Sequence, residues 1–149
     1  MTAETQTVRA GDLQVKLEAP RWVWDRSLYP LKVTYTNVGD APVEMMDPFQ
    51  CPYIWQVEDV STGIVPEPER AVNYGCTTEL RPPIPLGPGK SLRVTNKAII
   101  GGFPKGKYRI PAKVLPVHVE YRNPTEAPPS QQGLEEAHPA PQEVRFEIR

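Results

Sequence analysis

From Leu13 to Leu17 the chain reads Leu-Gln-Val-Lys-Leu, an alternation with a period of two that predicts a strand with one buried and one solvated face. Pro20 ends it. The same pattern over Leu31 to Asn37 sets Leu31, Val33 and Tyr35 inward before Val38-Gly39-Asp40 turns the chain. The return, Ala41 to Met46, carries Val43 and Met45 on one face. Tyr53 to Asp59 predicts a further strand with Tyr53, Trp55 and Val57 sharing a side, closed by Ser61-Thr62-Gly63 into a hairpin with Ile64-Val65. After the loop-like Glu67 to Pro88 and the turn Gly87-Pro88-Gly89, Ser91 to Ile100 reads as a strand contributing Leu92, Val94 and Ile99 to the core. Lys107 to Leu115, with Tyr108, Ile110 and Ala112 on one face, and Val117 to Tyr121 follow, divided by Pro116. Glu143 to Arg149 closes the chain as a strand with Val144, Phe146 and Ile148 inward.

Composition narrows the fold class. Of 149 residues 19 are proline, and no proline-free stretch after residue 20 exceeds 15 residues. Because proline removes a backbone donor and clashes with the preceding turn of a helix, a helical bundle and a parallel sheet with long crossover helices are both excluded. Many short strands separated by turn signals predict one domain over 1–149, an all-β antiparallel sandwich of seven to nine strands. Residues 1–10 are expected to be a flexible N-terminus. Residues 123–142, with five prolines and no aromatic residue, are expected to be a mobile excursion before the final strand 143–149. Trp55 is the expected core tryptophan, and its replacement by alanine is expected to cost about 3 to 5 kcal/mol.

Charge gives no global argument for a nucleic-acid partner: 17 basic residues stand against 18 acidic ones. Leu80 to Val119, however, holds eight basic residues and no carboxylate, namely Arg81, Lys90, Arg93, Lys97, Lys105, Lys107, Arg109 and Lys113. Two readings stand: a basic face for an acidic partner, or basic strands dispersed by cross-strand pairing with acidic neighbours. No apolar run reaches the roughly 18 residues of a membrane span, and the first residues lack a secretory pattern, so a cytoplasmic location is expected. Cys51 and Cys76 keep an alternative open: free thiols in a cytoplasmic protein, or a disulfide in a secreted or periplasmic one whose signal was removed.

Four segments occur in a familiar order: Tyr35-Thr-Asn37 turning through Gly39-Asp40-Ala-Pro-Val43; Tyr53-Ile-Trp55-Gln-Val57 with Ser61-Thr-Gly63; Leu86-Gly-Pro-Gly89-Lys-Ser-Leu92; and Phe103-Pro-Lys-Gly106-Lys-Tyr108. Over roughly residues 11 to 115 the chain resembles the bacterial intracellular proteinase inhibitor domain related to the Bacillus subtilis inhibitor. The resemblance implies an immunoglobulin-like sandwich that binds and inhibits a serine protease.

Catalytic chemistry finds little support. An enzyme requires a nucleophile with a base, paired carboxylates or a metal cluster, and neither His118 nor His138 stands in a recognisable motif. No cofactor is expected, and no metal site. Met45, Met46, Cys51, Cys76 and His118 include soft ligands suited to copper, but their spacing matches no signature and a Met pair at a strand end fills a core. Trp22 and Trp24, within Arg21-Trp-Val-Trp-Asp-Arg26, share a face and offer either a recognition patch or a cover over an open end of the sandwich, with arginines stacked on them. An inhibitor needs a rigid, preorganised loop. Gly101 to Gly106, displaying Phe103 and Lys105 around Pro104, and Cys76 to Pro85 both qualify. The expected function is non-catalytic protein binding, with protease inhibition as the form the resemblance implies; the alternatives are a structural or adhesive module of a cell envelope or assembly, and, from another class, a small metal-handling protein.

Overall fold

The computed structural model describes residues 3–24, 27–48, 52–66, 82–117, 119–123, 135–136 and 141–149. Among them run thirteen strands: β1 (Ala3–Ala10), β2 (Leu13–Pro20), β3 (Trp22–Val23), β4 (Leu28–Asn37), β5 (Val43–Met45), β6 (Tyr53–Ile54), β7 (Glu58–Asp59), β8 (Ile84–Leu86), β9 (Ser91–Ile99), β10 (Gly106–Ile110), β11 (Glu120–Arg122), β12 (Glu135–Glu136) and β13 (Val144–Ile148). A 3-10 turn, Ala112–Val114, follows β10. No helix among the described residues is long and apolar enough to cross a membrane.

One layer is a five-stranded sheet in the order β1-β2-β4-β9-β6, and the other consists of two four-stranded sheets, β3-β13-β10-β7 and β12-β11-β5-β8. The fold is thus an all-β sandwich. Its pairings are antiparallel except β3 with β13 and β6 with β9, which run parallel. Alternation builds the core as the sequence predicts: Leu13, Val15 and Leu17 on β2, Leu31, Val33 and Tyr35 on β4, and Val144, Phe146 and Ile148 on β13 are all buried. An aromatic row crosses from one layer to the other. Tyr29 stacks on Phe146 with ring centroids 3.9 Å apart, Phe146 lies 5.9 Å from Tyr108, and Tyr108 lies 5.5 Å from Phe103.

Burying a phenol requires a partner for its hydroxyl. Three of the four core tyrosines find theirs in the same place, the carbonyl of a proline. Tyr29 donates to Pro20 O at 2.6 Å, Tyr35 to Pro116 O at 2.8 Å and Tyr108 to Pro104 O at 2.5 Å. Burial pushes the phenols of Tyr29 and Tyr35 well above their ordinary range, so both stay neutral donors. Asn37, buried at the end of β4, is satisfied locally. Its Nδ2 donates to Ala41 O and Leu86 O, both at 2.9 Å, and its Oδ1 accepts from Gly39 N–H at 2.9 Å. Gly89 N–H donates to Asn37 O, and Asn37 N–H to Lys90 O, which seats the Pro88-Gly89-Lys90 turn on the same residue.

The structure departs from sequence expectation at several points. Residues 3–10, expected as part of a flexible N-terminus, form β1 and pair with β2 along their whole length. Tyr53 to Asp59 is not one strand: β6 belongs to the first layer and β7 to the second, and the chain crosses between layers at Trp55-Gln56. The crossing shifts the alternation, so Ile54 and Val57 are buried while Trp55 is 44% exposed. Trp55→Ala should therefore cost only about 1 kcal/mol, as expected for an aromatic ring with a large part of its surface already in water. A urea unfolding midpoint close to that of the wild type would bear this out. The strand expected over Lys107 to Leu115 ends at Ile110, where Pro111 opens the 3-10 turn and leaves Ala112 half-buried. Ile84–Leu86, inside the expected loop, pairs with β5, and Glu135–Glu136, inside the expected mobile excursion, pairs with β11. Cys51 and Cys76, and with them the choice between free thiols and a disulfide, lie outside the described residues, as do His118 and His138.

Candidate functional site

The segment Gly101 to Gly106 links β9 to β10, and a tight turn opens it. Phe103 N–H donates to Ile100 O at 3.0 Å, and Gly102, the third residue of that turn, has φ +80°, the left-handed conformation that a type II turn requires there. This geometry sends Phe103 back into the core, where it is 3% exposed, rather than displaying it. Phe103 is an anchor and not a contact residue. Pro104 and Lys105 are exposed at the tip. The Tyr108 hydroxyl, bonded to Pro104 O, ties the tip to the start of β10. Burial raises the Tyr108 phenol above its ordinary range and the nearby Asp59 carboxylate adds to this, so the donor stays protonated. Tyr108→Phe should lower stability by about 1 kcal/mol, because Pro104 O can turn to water. Faster proteolytic nicking at Lys105 with little change in the unfolding midpoint is the accompanying sign that this bond holds the loop.

Trp22 and Trp24 share the pole with this loop. In register, Val23 lies beside Ile148 and Ile148 beside Gly106. With neighbouring strands about 4.8 Å apart, Val23 sits roughly 10 Å from the loop's last residue. The two indoles meet edge to face, with centroids 5.2 Å apart and planes at 81°. Trp24 is 58% exposed. Among the described residues the arginine over Trp22 is Arg149, which places its guanidinium carbon 4.8 Å from the ring centroid, while Arg21 reaches Glu4 at 3.8 Å; Arg26 lies outside the described residues. Arg149 is held by its own N–H, which donates to Val23 O at 2.9 Å. Its position one residue beyond the inward Ile148 places it on the outer face, but only the β3–β13 pairing reveals the indole beneath it.

The hairpin turn after β7 reaches the same pole. Val60 N–H donates to Lys107 O at 3.1 Å, next to the loop's end. Asp59 shapes that turn: Ser61 N–H and Oγ both donate to its Oδ1, which holds the carboxyl below its ordinary range. Ile64, 64% exposed, and Val65, 43% exposed, extend from it. Trp55 follows β6 beside the end of β9 from which the loop departs. Apolar and aromatic surface therefore gathers around a tip carrying one lysine.

The remaining candidates are placed elsewhere. Met45 is fully buried in β5 as core filling, and among the described residues no three His, Cys, Asp or Glu side chains come together around a metal position. The basic block is dispersed over both layers. Arg93 and Lys97 lie on β9 in the first layer, Lys107 and Arg109 on β10 in the second, and Arg109 pairs with Glu58 at 3.2 Å. Arg81 and most of the Cys76 to Pro85 loop lie outside the described residues.

No family model matches the chain, and no curated protein matches it.

Proposed function

We propose that this chain is a non-catalytic protein-binding domain that meets its partner with the pole built from the Gly101–Gly106 loop and the Trp22–Trp24 pair. One observation carries this reading: an exposed Pro104–Lys105 tip held from below by buried Phe103 and from behind by the Tyr108 hydroxyl. A loop fixed in this way loses little conformational entropy on entering a cleft, which is the physical requirement of a protease inhibitor. In that form the partner is a serine protease, as the sequence resemblance implies, and Lys105 is the side chain presented to it.

The test is an inhibition assay against a panel of bacterial serine proteases with the wild type and Lys105→Ala. Inhibition of at least one protease, weakened about tenfold or more by the substitution, is the expected result. A folded protein that inhibits none, in a panel including enzymes that cleave after lysine, sinks the inhibitor form. The exposed Trp24 beside Trp22 and Arg149 supports the second reading, a structural or adhesive module. In that case Trp24→Ala should abolish capture of a partner that Lys105→Ala leaves intact.

A further inference from the structure

Register decides which charges share the outer face of the first layer. Because Val15 and Leu17 on β2, Val33 on β4 and Val94 on β9 are buried, their alternating neighbours Lys16, Lys32, Thr34, Arg93 and Lys97 point outward. On β1, Thr7 and Arg9 share that face, since they pair with Lys16 and Gln14. Four of the cations fall on one line. Arg9 is opposite Gln14, two residues before Lys16; Lys32 is opposite Glu18, two residues after Lys16. Lys97 is opposite Pro30, two residues from Lys32 on the side away from Thr34, which is itself opposite Lys16. Each step therefore goes one strand across and two residues along in the same sense, about 8 Å. Three such steps carry Arg9, Lys16, Lys32 and Lys97 diagonally over four strands, a row about 25 Å long.

Little on the protein neutralises this row. Arg9, Lys16 and Lys32 are exposed and Lys97 is half-buried. Among the described residues no carboxylate pairs with Arg9, Lys32 or Lys97, and Glu18 is the one acidic side chain at the paired positions of this face. It reaches Lys16 at 3.9 Å with both side chains more than a third exposed, a contact of the weak surface kind. Arg9 Nε donates to Gly11 O at 2.7 Å, which holds the guanidinium without removing its charge. We infer that the row binds an extended acidic polypeptide segment. In such a segment alternate side chains lie about 7 Å apart on one side, close to the spacing of the row, and long lysine stems absorb the difference. The alignment favours a linear partner, because a flat anionic membrane would meet the same cations wherever they stood on the face. Tyr53, opposite Lys97 on β6, is the one aromatic ring outward on this face among the described residues, so successive nucleic-acid bases find no stacking series, and the chain's net charge of −1 is not that of a nucleic-acid binder. No residue of the loop pole takes part, so the row stands whether or not that pole binds a partner.

The probe is the acetylated, amidated peptide Glu-Ser-Glu-Ser-Glu-Ser-Glu, titrated into the whole chain at low salt and followed through backbone amide NMR signals. Arg9, Lys16, Lys32 and Lys97 are expected to shift together, with a dissociation constant below about 1 mM. Raising the salt from about 0.05 M to about 0.3 M should weaken binding about tenfold. Lys32→Gln, in the middle of the row, should weaken it about fivefold, as should Lys16→Gln, whereas Lys107→Gln, which removes the same charge from the other layer, should leave it unchanged. Glu18→Gln removes the repelling carboxylate and should tighten binding about twofold. An equal loss from Lys107→Gln would show that net charge alone acts and would overturn the proposal. So would shifts confined to Trp22, Trp24 and Lys105, affinity indifferent to salt, or no shift at all. Tighter binding at the row by a thymidine oligonucleotide carrying four phosphates would overturn it in favour of a nucleic-acid backbone.

Discussion

Phe146→Ala is expected to remove about 4 kcal/mol of stability, within the range for truncating a core phenylalanine and a large share of the 5 to 15 kcal/mol typical of a folded domain. The ring is 3% exposed and stands between two tyrosines from different strands. On one side it stacks on Tyr29 of β4, with centroids 3.9 Å apart, and on the other it faces Tyr108 of β10 at 5.9 Å. Its loss opens a cavity between the layers that neither tyrosine can fill, because the Tyr29 hydroxyl is fixed to Pro20 and the Tyr108 hydroxyl to Pro104. Urea denaturation should show a lowered midpoint with an unchanged slope. A loss below about 1.5 kcal/mol would contradict the packing described, since that is less than the transfer cost of one fully buried side chain. Stopping the chain after Asn123 removes Val144 and Ile148 as well, and is expected to leave no cooperative transition.

Gly11→Ala is expected to be nearly as damaging although it adds one methyl group. Gly11 and Asp12 form the two-residue connection between β1 and β2, and Gly11 has φ +62° at the first position, as a type II′ hairpin requires. An alanine is strained there by about 1 to 2 kcal/mol. Its Cβ would also fall 1.8 Å from the Tyr121 hydroxyl oxygen and 3.0 Å from the ring carbon that carries it. Tyr121 is 3% exposed and its oxygen accepts the Asp12 N–H at 2.9 Å, so the ring cannot retreat without leaving that donor unpaired. Together these effects should cost about 3 to 4 kcal/mol, with overpacking of a filled site as the larger share. A double-mutant cycle with Tyr121→Phe separates them. Removing the hydroxyl should recover part of the loss in the alanine background, and strictly additive effects would show that the close approach is not what destabilises.

How much of this was legible in the sequence depended on what each strand faces. Over Leu31 to Asn37 and Glu143 to Arg149, one face meets the opposite layer and the other meets water, so alternation alone placed both strands and their inward residues. The same rule hides β1. Its inner positions Glu4 and Gln6 look into a cleft beside β13 instead of a packed core, so no apolar alternation marks them. Trp55 misled because periodicity assumes an unbroken strand, and the crossing between layers at that residue resets the phase. Phe103 misled because a tight turn leaves its side chains pointing in directions that composition does not specify; the positive φ of Gly102 decides it. Trp22, Trp24, Pro104 and Lys105 were found by residue type, but their gathering at one pole follows from a parallel pairing between residues more than a hundred positions apart. Local patterns carry no information at that range.

That long-range pairing also bears on the order in which the molecule can assemble. Strands β1, β2 and β4 are close in sequence and can pair early, whereas β3 must wait for Glu147 and Ile148, and Tyr29 must wait for Phe146. The first layer ends with β9 at Ile99, and Phe146 follows it by 47 residues, which at about 5 to 20 residues per second on a ribosome is an interval of several seconds. During that interval Tyr29 lacks the ring that stacks on it and β3 lacks the strand it pairs with. The strand Val144–Ile148 is thus the last part of the described core to arrive.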